Sequence, residues 1–314
     1  MNRNAPYILV APSSRRIMWT VAAALIPGIL ALVIHEGTRW LGNLAVAALA
    51  ATCCEALVLK IRGKAHILAT ATDGSAFLTA LLLALSLPVA TPAWLIALAT
   101  AFAILFGKQL YGGLGMNPFN PAMLGFAFAL VSFPALTSQH FAEALSFGTL
   151  WQSPAAIDAI SAPTTLDPVL NSQNAGEYRA AAIELPQLVT RLCWLAGGIF
   201  LLARRYADWR IATAVFLGIA FTALAFYGYD HTQHLDPITH LLAGASIFGA
   251  LFIATDPVTA STTPRGRWIY GLIIGILTVC IRELGTFPDG FAFAVLLANA
   301  LVPVLDPLTQ PRYR

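Results

Sequence analysis

Charged residues are scarce in this chain. Asp, Glu, Lys and Arg together make up 11% of its 314 residues, while apolar types make up 58%. Soluble globular proteins contain about a quarter charged residues. The composition therefore excludes an ordinary soluble domain and indicates an integral membrane protein that has the lipid bilayer as its solvent.

Two further absences exclude classes of site. The four cysteines, Cys53, Cys54, Cys193 and Cys280, all lie in apolar segments and lack C-x-x-C spacing, which argues against a zinc or iron–sulfur site. We interpret them as buried inert thiols, with a cluster shared with another subunit as the alternative. The chain also lacks a Gly-rich dinucleotide fingerprint. We predict no metal site here, and the small net charge of +3 requires no nucleic-acid partner.

Apolar runs define the predicted membrane spans. A helix needs about 17 to 25 residues to cross a bilayer. Eight longer apolar runs lie at 17–34, 43–60, 92–110, 117–134, 187–204, 209–227, 268–282 and 289–305, and two shorter runs lie at 73–88 and 240–255. The sequence therefore predicts an all-α integral membrane protein with about ten transmembrane helices.

The order of these runs predicts one membrane domain, 1–314, made of two five-helix halves. Its predicted parts are a cytoplasmic arm at 1–16, a first half at 17–134, a polar loop at 135–186, a second half at 187–305 and a cytoplasmic tail at 306–314. An odd number of spans inverts the second half relative to the first. The third and eighth spans are both short and rich in small residues, which predicts inverted repeats with short or broken central spans, although small residues also serve close helix packing.

Basic residues indicate the orientation, because Lys and Arg hold loops on the cytoplasmic side. With ten crossings and a cytoplasmic N-terminus, fourteen of the eighteen Lys and Arg residues fall on the inner side. Those left outside are Arg39, Arg179, Arg191 and Arg282. We therefore predict that both termini are cytoplasmic and that the loop at 135–186 lies outside the cell membrane.

Broken segments and ionisable residues mark the candidate site. Asn117 and Asn120 lie in an Asn/Pro cluster at 117–121, and prolines there free backbone groups that lipid cannot satisfy. An ionisable residue in hydrocarbon is costly and is by default a functional candidate. We predict an ion path that involves Asp73, Asp256, Asp289 and Glu55, with Asn117 and Asn120 lining a pocket.

Histidines lie mostly at the predicted ends of spans. His35, His66, His231, His234 and His240 occupy such positions and are better interpreted as interfacial residues than as metal ligands. Imidazole titrates near neutral pH. Proton handling by His231 or His234 therefore stays open.

Three long motifs carry a resemblance to a known family. They are Lys108-Gln-Leu-Tyr-Gly-Gly-Leu-Gly-Met-Asn-Pro-Phe-Asn-Pro-Ala122, Thr255-Asp-Pro-Val-Thr-Ala-Ser261 and Pro288-Asp-Gly-Phe-Ala-Phe-Ala-Val-Leu-Leu-Ala-Asn299. With Glu55-Ala-Leu-Val-Leu-Lys60 and the N-terminal arm, they resemble the D subunit of the Rnf (also called Rsx) electron-transport complex over nearly the whole chain. The B subunit of the sodium-pumping NADH:quinone reductase is similar but usually has a longer N-terminal extension.

The resemblance implies a function and partners. It implies a subunit of a six-subunit complex in the bacterial inner membrane that passes electrons between ferredoxin and NAD while moving Na⁺ or H⁺. Because the chain carries no ferredoxin or NAD site, we expect the other Rnf subunits to supply those parts. A similar complex that keeps a redox-sensing transcription factor reduced is an alternative, and so is a channel or transporter for small solutes without redox activity.

The resemblance also implies a cofactor. The family's D subunit carries FMN joined through its phosphate to a threonine in a motif of the form Asp-x-x-Ser-x-Ala-Thr. In this chain Asp158, Ser161 and Thr164 match that motif, and Thr165 is the second candidate acceptor because Pro163 and Thr165 depart from the usual pattern. A flavin transferase on the outer side of the membrane would be needed for attachment. A second, noncovalent flavin such as riboflavin is expected from relatives, and a structural subunit without flavin is the third alternative.

Overall fold

The computed structural model describes residues 13–64, 73–137, 185–231, 233–285 and 289–310. Every regular element in these ranges is helical. The predicted flavin loop, with Asp158, Ser161, Thr164 and Thr165, lies outside the described residues, as do most of the N-terminal arm and the last four residues.

The described residues of the first half form seven helices and one π-helical segment. They are α1 (Ser14–Ala24), α2 (Ile26–Glu36), α3 (Arg39–Ile61), α4 (Ser75–Ser86), α5 (Ala93–Phe102) continued by the π segment π1 (Ala103–Gln109), α6 (Pro121–Ser132) and α7 (Pro134–Thr137). The break between α1 and α2 falls just before Pro27. A proline is tolerated in the first turn of a helix but not in its interior, so the first predicted span forms two helices.

The described residues of the second half form six helices and one π-helical segment. They are α8 (Leu185–Ala203), α9 (Trp209–Tyr229), α10 (Pro237–Leu242), α11 (Ser246–Phe248) continued by π2 (Gly249–Ile253), α12 (Pro264–Leu284) and α13 (Phe291–Thr309). The predicted tail at 306–314 therefore begins inside α13. This helix runs on to Thr309, beyond the predicted apolar run at 289–305, and contains Pro303 and Pro307.

Five helical stretches among the described residues are long and apolar enough to cross a membrane. They are Ser14–Glu36, Arg39–Ile61, Leu185–Ala203, Trp209–Tyr229 and Phe291–Thr309. Helical residues also occupy the other five predicted runs. The all-helical membrane class is confirmed, whereas the number of crossings and the inverted repeat remain predictions.

The third and eighth predicted spans are too short to cross alone. At about 1.5 Å per residue, the twelve residues of α4 extend about 18 Å, against a hydrocarbon core of about 30 Å. The unbroken helical stretch in the other half, 246–253, has eight residues. Both elements therefore end inside the bundle, where neighbouring helices must satisfy their polar termini.

Three of the basic residues that indicated the orientation are buried inside the bundle. Arg39, Lys108 and Arg282 are each 2% exposed or less. Their positions are set by polar partners inside the protein, so they do not report on a loop. Leaving these three residues out of the count does not change the predicted orientation. Arg39 and Arg282 were assigned to the outer side, and only Lys108 was assigned to the inner side.

Small residues bring α9 and α12 into close contact. A Cβ added at Gly271 would lie 2.6 Å from the Ile211 carbonyl oxygen, and one added at Gly218 would lie 2.7 Å from the Leu272 carbonyl oxygen. Gly271 and Gly275 form a G-x-x-x-G pattern, which lets two helix backbones approach in a membrane. The interface therefore depends on the absence of side chains at these positions.

Replacing Gly271 with Ala should weaken this interface. Overpacking against a backbone carbonyl, which cannot turn away, costs about 1–3 kcal/mol, so we expect a lower unfolding midpoint in detergent. Gly228→Ala is the control in the same helix pair, because no atom lies within 4 Å of an added Cβ there. Equal midpoints for the two variants would contradict the close packing.

Candidate functional site

The three broken segments that the sequence singled out meet at one cavity. Its empty volume is ≈ 700 Å³, including the part open to solvent. The polar residues of its lining include Ser75, Lys108, Asn117, Asn120, Thr255 and Asp256. The cavity lies between the two halves, because α1, α4 and α6 contribute to one wall and π2 with the turn after it contributes to another.

Apolar side chains form the rest of the wall. Met18, Leu78 and Leu82 come from the first half, and Leu251 and Phe252 come from the second. A mostly apolar cavity with a few placed polar groups is the usual form of a ligand or ion site in a membrane protein. The polar groups therefore decide what the cavity accepts.

A buried ion pair lies behind the cavity wall. Lys108 on π1 forms an ion pair with Glu55 on α3, and both side chains are at most 3% exposed. The Lys108 ammonium also donates to the Ser75 hydroxyl at 2.6 Å. Gln109 donates to the same Glu55 oxygen at 3.0 Å. The second Glu55 oxygen, Oε2, is buried without a hydrogen-bond partner in the described part of the chain.

The same serine connects the ion pair to Asp73. The Ser75 hydroxyl donates to Asp73 Oδ1 at 2.5 Å, and the Ser75 backbone N–H donates to that oxygen at 2.7 Å. Asp73 thus places its carboxylate at the start of α4, just before the N-cap residue Gly74, where a helix N-terminus favours negative charge. Two carboxylates and one ammonium are linked through one serine.

Asn120 and Asn117 hold the broken entry to α6. The Asn120 side chain accepts hydrogen bonds from the N–H groups of Ala122 and Met123, at 3.0 and 3.2 Å. Asn117 donates to the Phe119 carbonyl at 3.1 Å, and its own Oδ1 is buried without a partner among the described residues. This acceptor is available to a bound group, since Asn117 lines the cavity.

Asp256 is the carboxylate that lines the cavity from the second half. It accepts from the Val258 N–H at 3.2 Å and from the Thr259 hydroxyl at 3.0 Å. The surrounding protein raises the pKa of Asp256 above its ordinary value because burial disfavours the charged form, and these two hydrogen bonds act in the opposite direction. Asp256 therefore gains from a nearby cation when it is ionised.

The π segments place these groups, and sequence reasoning did not foresee either of them. π1 carries Lys108 and Gln109, and π2 precedes Thr255 and Asp256. π-helical turns inside α-helices are rare and are frequent at functional sites. The clue that the sequence offered was the position of Lys108 in an apolar run, which marks an intramembrane ionisable residue.

A second polar cluster lies at the C-terminal end of α12. Arg282 donates to the Ser246 hydroxyl and to the His240 carbonyl, both at 3.0 Å, and pairs with Asp289 at 3.1 Å. Pro264 and Arg282 are separated by about 27 Å along the helix. Asp289 belongs to this cluster and is not part of the cavity lining, so the predicted ion-path residues divide into Glu55, Asp73 and Asp256 at the cavity and Asp289 elsewhere.

The two ends share one arrangement. In each half the short helix begins at a serine, Ser75 in one and Ser246 in the other. A basic side chain near the end of the next helix along the chain binds that serine: Lys108 binds Ser75, and Arg282 binds Ser246. Related turns follow both short elements, with Pro88 and Val89 in one half and Pro257 and Val258 in the other. These matches are those that an inverted repeat would produce.

Comparison with known proteins identifies the family. The model of the NQR2, RnfD, RnfE family matches residues 1–314. The curated relatives include the D subunit of an ion-translocating oxidoreductase complex from Klebsiella pneumoniae (strain 342), 41% identical, with 98% of this chain and 97% of the relative covered. The proteins of the same name from Erwinia tasmaniensis and Escherichia coli (strain K12) are 40% identical, with 98% of this chain and 96% of each relative covered. The chain therefore belongs to the NQR2, RnfD, RnfE family.

Proposed function

We propose that this chain is the D-type membrane subunit of an ion-translocating electron-transport complex. Near-complete coverage at about 40% identity with relatives of that name supports the proposal. The finer proposal is that the complex passes electrons between ferredoxin and NAD while moving Na⁺ or H⁺. Five partner subunits would provide the ferredoxin and NAD sites, so this chain alone does not catalyse the overall reaction.

The second part of the proposal concerns a covalent flavin. Thr164 is the proposed acceptor of FMN, with Asp158 and Ser161 completing the motif and Thr165 as the second candidate. These residues lie outside the described ranges, so the support is the motif and the family. FMN would supply one- and two-electron redox chemistry. A proline one residue before the proposed acceptor disfavours a helix interior, which is consistent with an acceptor that a modifying enzyme must reach.

The attachment is testable by mass spectrometry of the chain purified after co-expression with a flavin transferase. We expect an FMN adduct on the peptide that contains Thr164, retained in Thr165→Val and lost in Thr164→Val. An adduct that survives Thr164→Val but not Thr165→Val would move the site by one residue. An unmodified wild-type chain would favour a transporter or a purely structural subunit.

The cavity supports a role in ion movement. Glu55, Asp73 and Asp256 lie in or directly behind its lining, opposed by the single ammonium of Lys108. With the carboxylates ionised, this group carries a net charge of −2, and a cleft lined by one sign of charge concentrates counter-ions. We propose that cations enter here and balance the negative charge that accompanies flavin reduction.

The architecture proposed for this movement is the ten-span inverted repeat, with both termini cytoplasmic and the flavin loop periplasmic. The matched Lys108–Ser75 and Arg282–Ser246 contacts support it. In such folds the central site lies where short or broken spans of the two repeats meet, as α4 and π2 do at the cavity. The cavity would then face the cytoplasm, and the Arg282 cluster would face the outside.

The cavity is also our proposed place for a second, noncovalent flavin such as riboflavin. Its lining offers apolar walls together with the unpartnered acceptor of Asn117, which is the mixture usual for small-molecule sites. Lys108 and Asn120 are the other polar groups that would orient the ring. Extraction of noncovalent flavin from the purified complex, and its loss in Asn117→Leu, would support this site.

Removing two cavity carboxylates should uncouple ion movement from electron transfer. In Asp73→Asn with Asp256→Asn we expect ion transport by the complex in proteoliposomes to fall at least roughly tenfold, the effect of about 1.4 kcal/mol of lost cation binding. FMN content should stay unchanged. Asp208→Asn is the control, because Asp208 pairs with Arg267 and Arg210 outside the cavity lining. Normal ion transport by the double variant would refute the cavity as the ion entrance.

The buried pair should matter for stability as well as for charge. Lys108→Met leaves the Glu55 carboxylate buried and unpaired, which costs about 3–5 kcal/mol for such pairs. Combining it with Glu55→Gln should restore most of the unfolding midpoint, because the uncompensated charge is gone. A double variant as unstable as the single one would show that Lys108 acts through packing rather than charge.

A further inference from the structure

We propose that His234, Glu283 and His240 form a proton-binding site at the end of the bundle opposite the cavity. This inference rests on the proposed ion-translocating function and deepens it, because it assigns the proton as the ion exchanged on that side of the membrane. The three side chains come from two separate elements and form one cluster. Glu283 is the second-last residue of α12, His234 precedes α10, and His240 lies within α10.

One carboxylate bridges two imidazole rings. Glu283 Oε2 lies 2.6 Å from His234 Nδ1, and Glu283 Oε1 lies 2.7 Å from His240 Nε2. Distances of this length are those of strong, charge-assisted hydrogen bonds. Each oxygen of the carboxylate therefore shares one proton with one ring, and the bridge positions both rings.

Burial increases from one ring to the other. The His234 side chain is 16% exposed, Glu283 is 3% exposed and His240 is fully buried. Only water reaching His234 can exchange protons with the cluster directly. The order of exposure gives the site an entrance at His234 and a closed end at His240.

The closed end carries an unpartnered polar atom. His240 Nδ1 is buried and has no hydrogen-bond partner in the described part of the chain. With Nε2–H donating to Glu283, Nδ1 is a bare acceptor, and such an atom is costly to bury. It is a site that a proton, or the water that delivers one, would satisfy.

The net charge of the cluster favours the binding of one proton. Arg282 and Asp289 pair with each other and are neutral together, so Glu283 supplies the net charge of −1 when both rings are neutral. The other titratable groups on the elements packed around the cluster are Asp236, which caps α10, and Asp230, His231 and Tyr227 at the end of α9. Protonation brings the cluster to zero charge, which favours uptake in a buried place.

The uptake step balances without any electron transfer. A proton from water binds the second ring nitrogen of His234, Nε2. The ring becomes an imidazolium whose Nδ1–H still donates to Glu283 Oε2 along the 2.6 Å hydrogen bond. Glu283 stays ionised and balances the added charge, and His240 still donates from Nε2 to Oε1.

A proton explains these contacts better than a bound metal ion does. The ring nitrogens approach the carboxylate oxygens directly, and within the described residues no group of three His, Cys, Asp or Glu side chains is arranged to hold a metal ion. A passive tether between α10 and α12 is the other interpretation. It predicts loss of stability on mutation but no change in proton exchange.

Glu283→Gln in the full complex tests the site, because Gln retains hydrogen bonding but carries no charge to stabilise the protonated His234. In proteoliposomes with a pH-sensitive dye, we expect proton movement to fall at least tenfold, while FMN content and the thermal midpoint stay close to wild type. The dependence of turnover on the pH at the Glu283 side should be lost. His234→Gln should also slow proton exchange, because it removes the one imidazole of the cluster that water reaches.

Controls separate this proposal from the broader one. Asp236→Asn is the matched control, since Asn also caps a helix and the residue lies beside the cluster without contacting Glu283. Infrared difference spectra should show imidazolium bands on acidification that are absent in His234→Gln. Wild-type coupling with an unchanged pH profile in Glu283→Gln would overturn the proton site alone. A wild-type complex that moves no ions during electron transfer would overturn the proposed function itself.

Discussion

Two short helices that stop inside the bundle are the constraint on which the rest of the structure depends. α4 extends about 18 Å and the helical stretch 246–253 about 12 Å, so each has a terminus at a depth where lipid satisfies no polar group. Each half places the hydroxyl of a serine at the first residue and brings a long basic side chain to it. Lys108 and Arg282 are thereby fixed inside the protein, and each then requires a carboxylate. The buried charges are a consequence of the broken helices.

The two halves satisfy this requirement differently, and the difference gives the two ends of the bundle distinct chemistry. At the cavity end, Lys108 is neutralised by Glu55 and leaves one carboxylate oxygen without a partner among the described residues. At the other end, Arg282 is fully neutralised by Asp289, and a separate carboxylate, Glu283, is held between two imidazoles. The first arrangement suits a metal cation or a proton. The second has ligands that suit a proton.

The membrane class and the location of the site could be predicted from the sequence, because both follow from local features. Low charge and long apolar runs indicate the bilayer, and paired Asn and Pro residues at 117–121 indicate a broken helix wherever it lies. The cavity position of Asn117, Asn120 and Asp256 agrees with that interpretation. The pairing of Lys108 with Glu55 could not be predicted, since 53 residues separate them and the same lysine suits a cytoplasmic loop. The bridge from Glu283 to His240 spans 43 residues and leaves no periodic signal.

The proposed separation of redox and ion chemistry agrees with the same physical limits. A covalent flavin would need an acceptor that a modifying enzyme can reach, and the proposed acceptor Thr164 belongs to the predicted polar loop at 135–186. An ion site needs carboxylates held away from lipid, which α4 and the segments around the π helices provide. Electron transfer can therefore influence the ion site only through charge or through movement of the helices that flank the loop. α8, which follows the loop directly, contributes Leu201 to the cavity wall, and its Gly197 and Gly198 pack closely against α1 and π2. In the proposed function, α8 on one side of the predicted flavin loop and α6 with α7 on the other are therefore the described elements that connect this loop with the cavity.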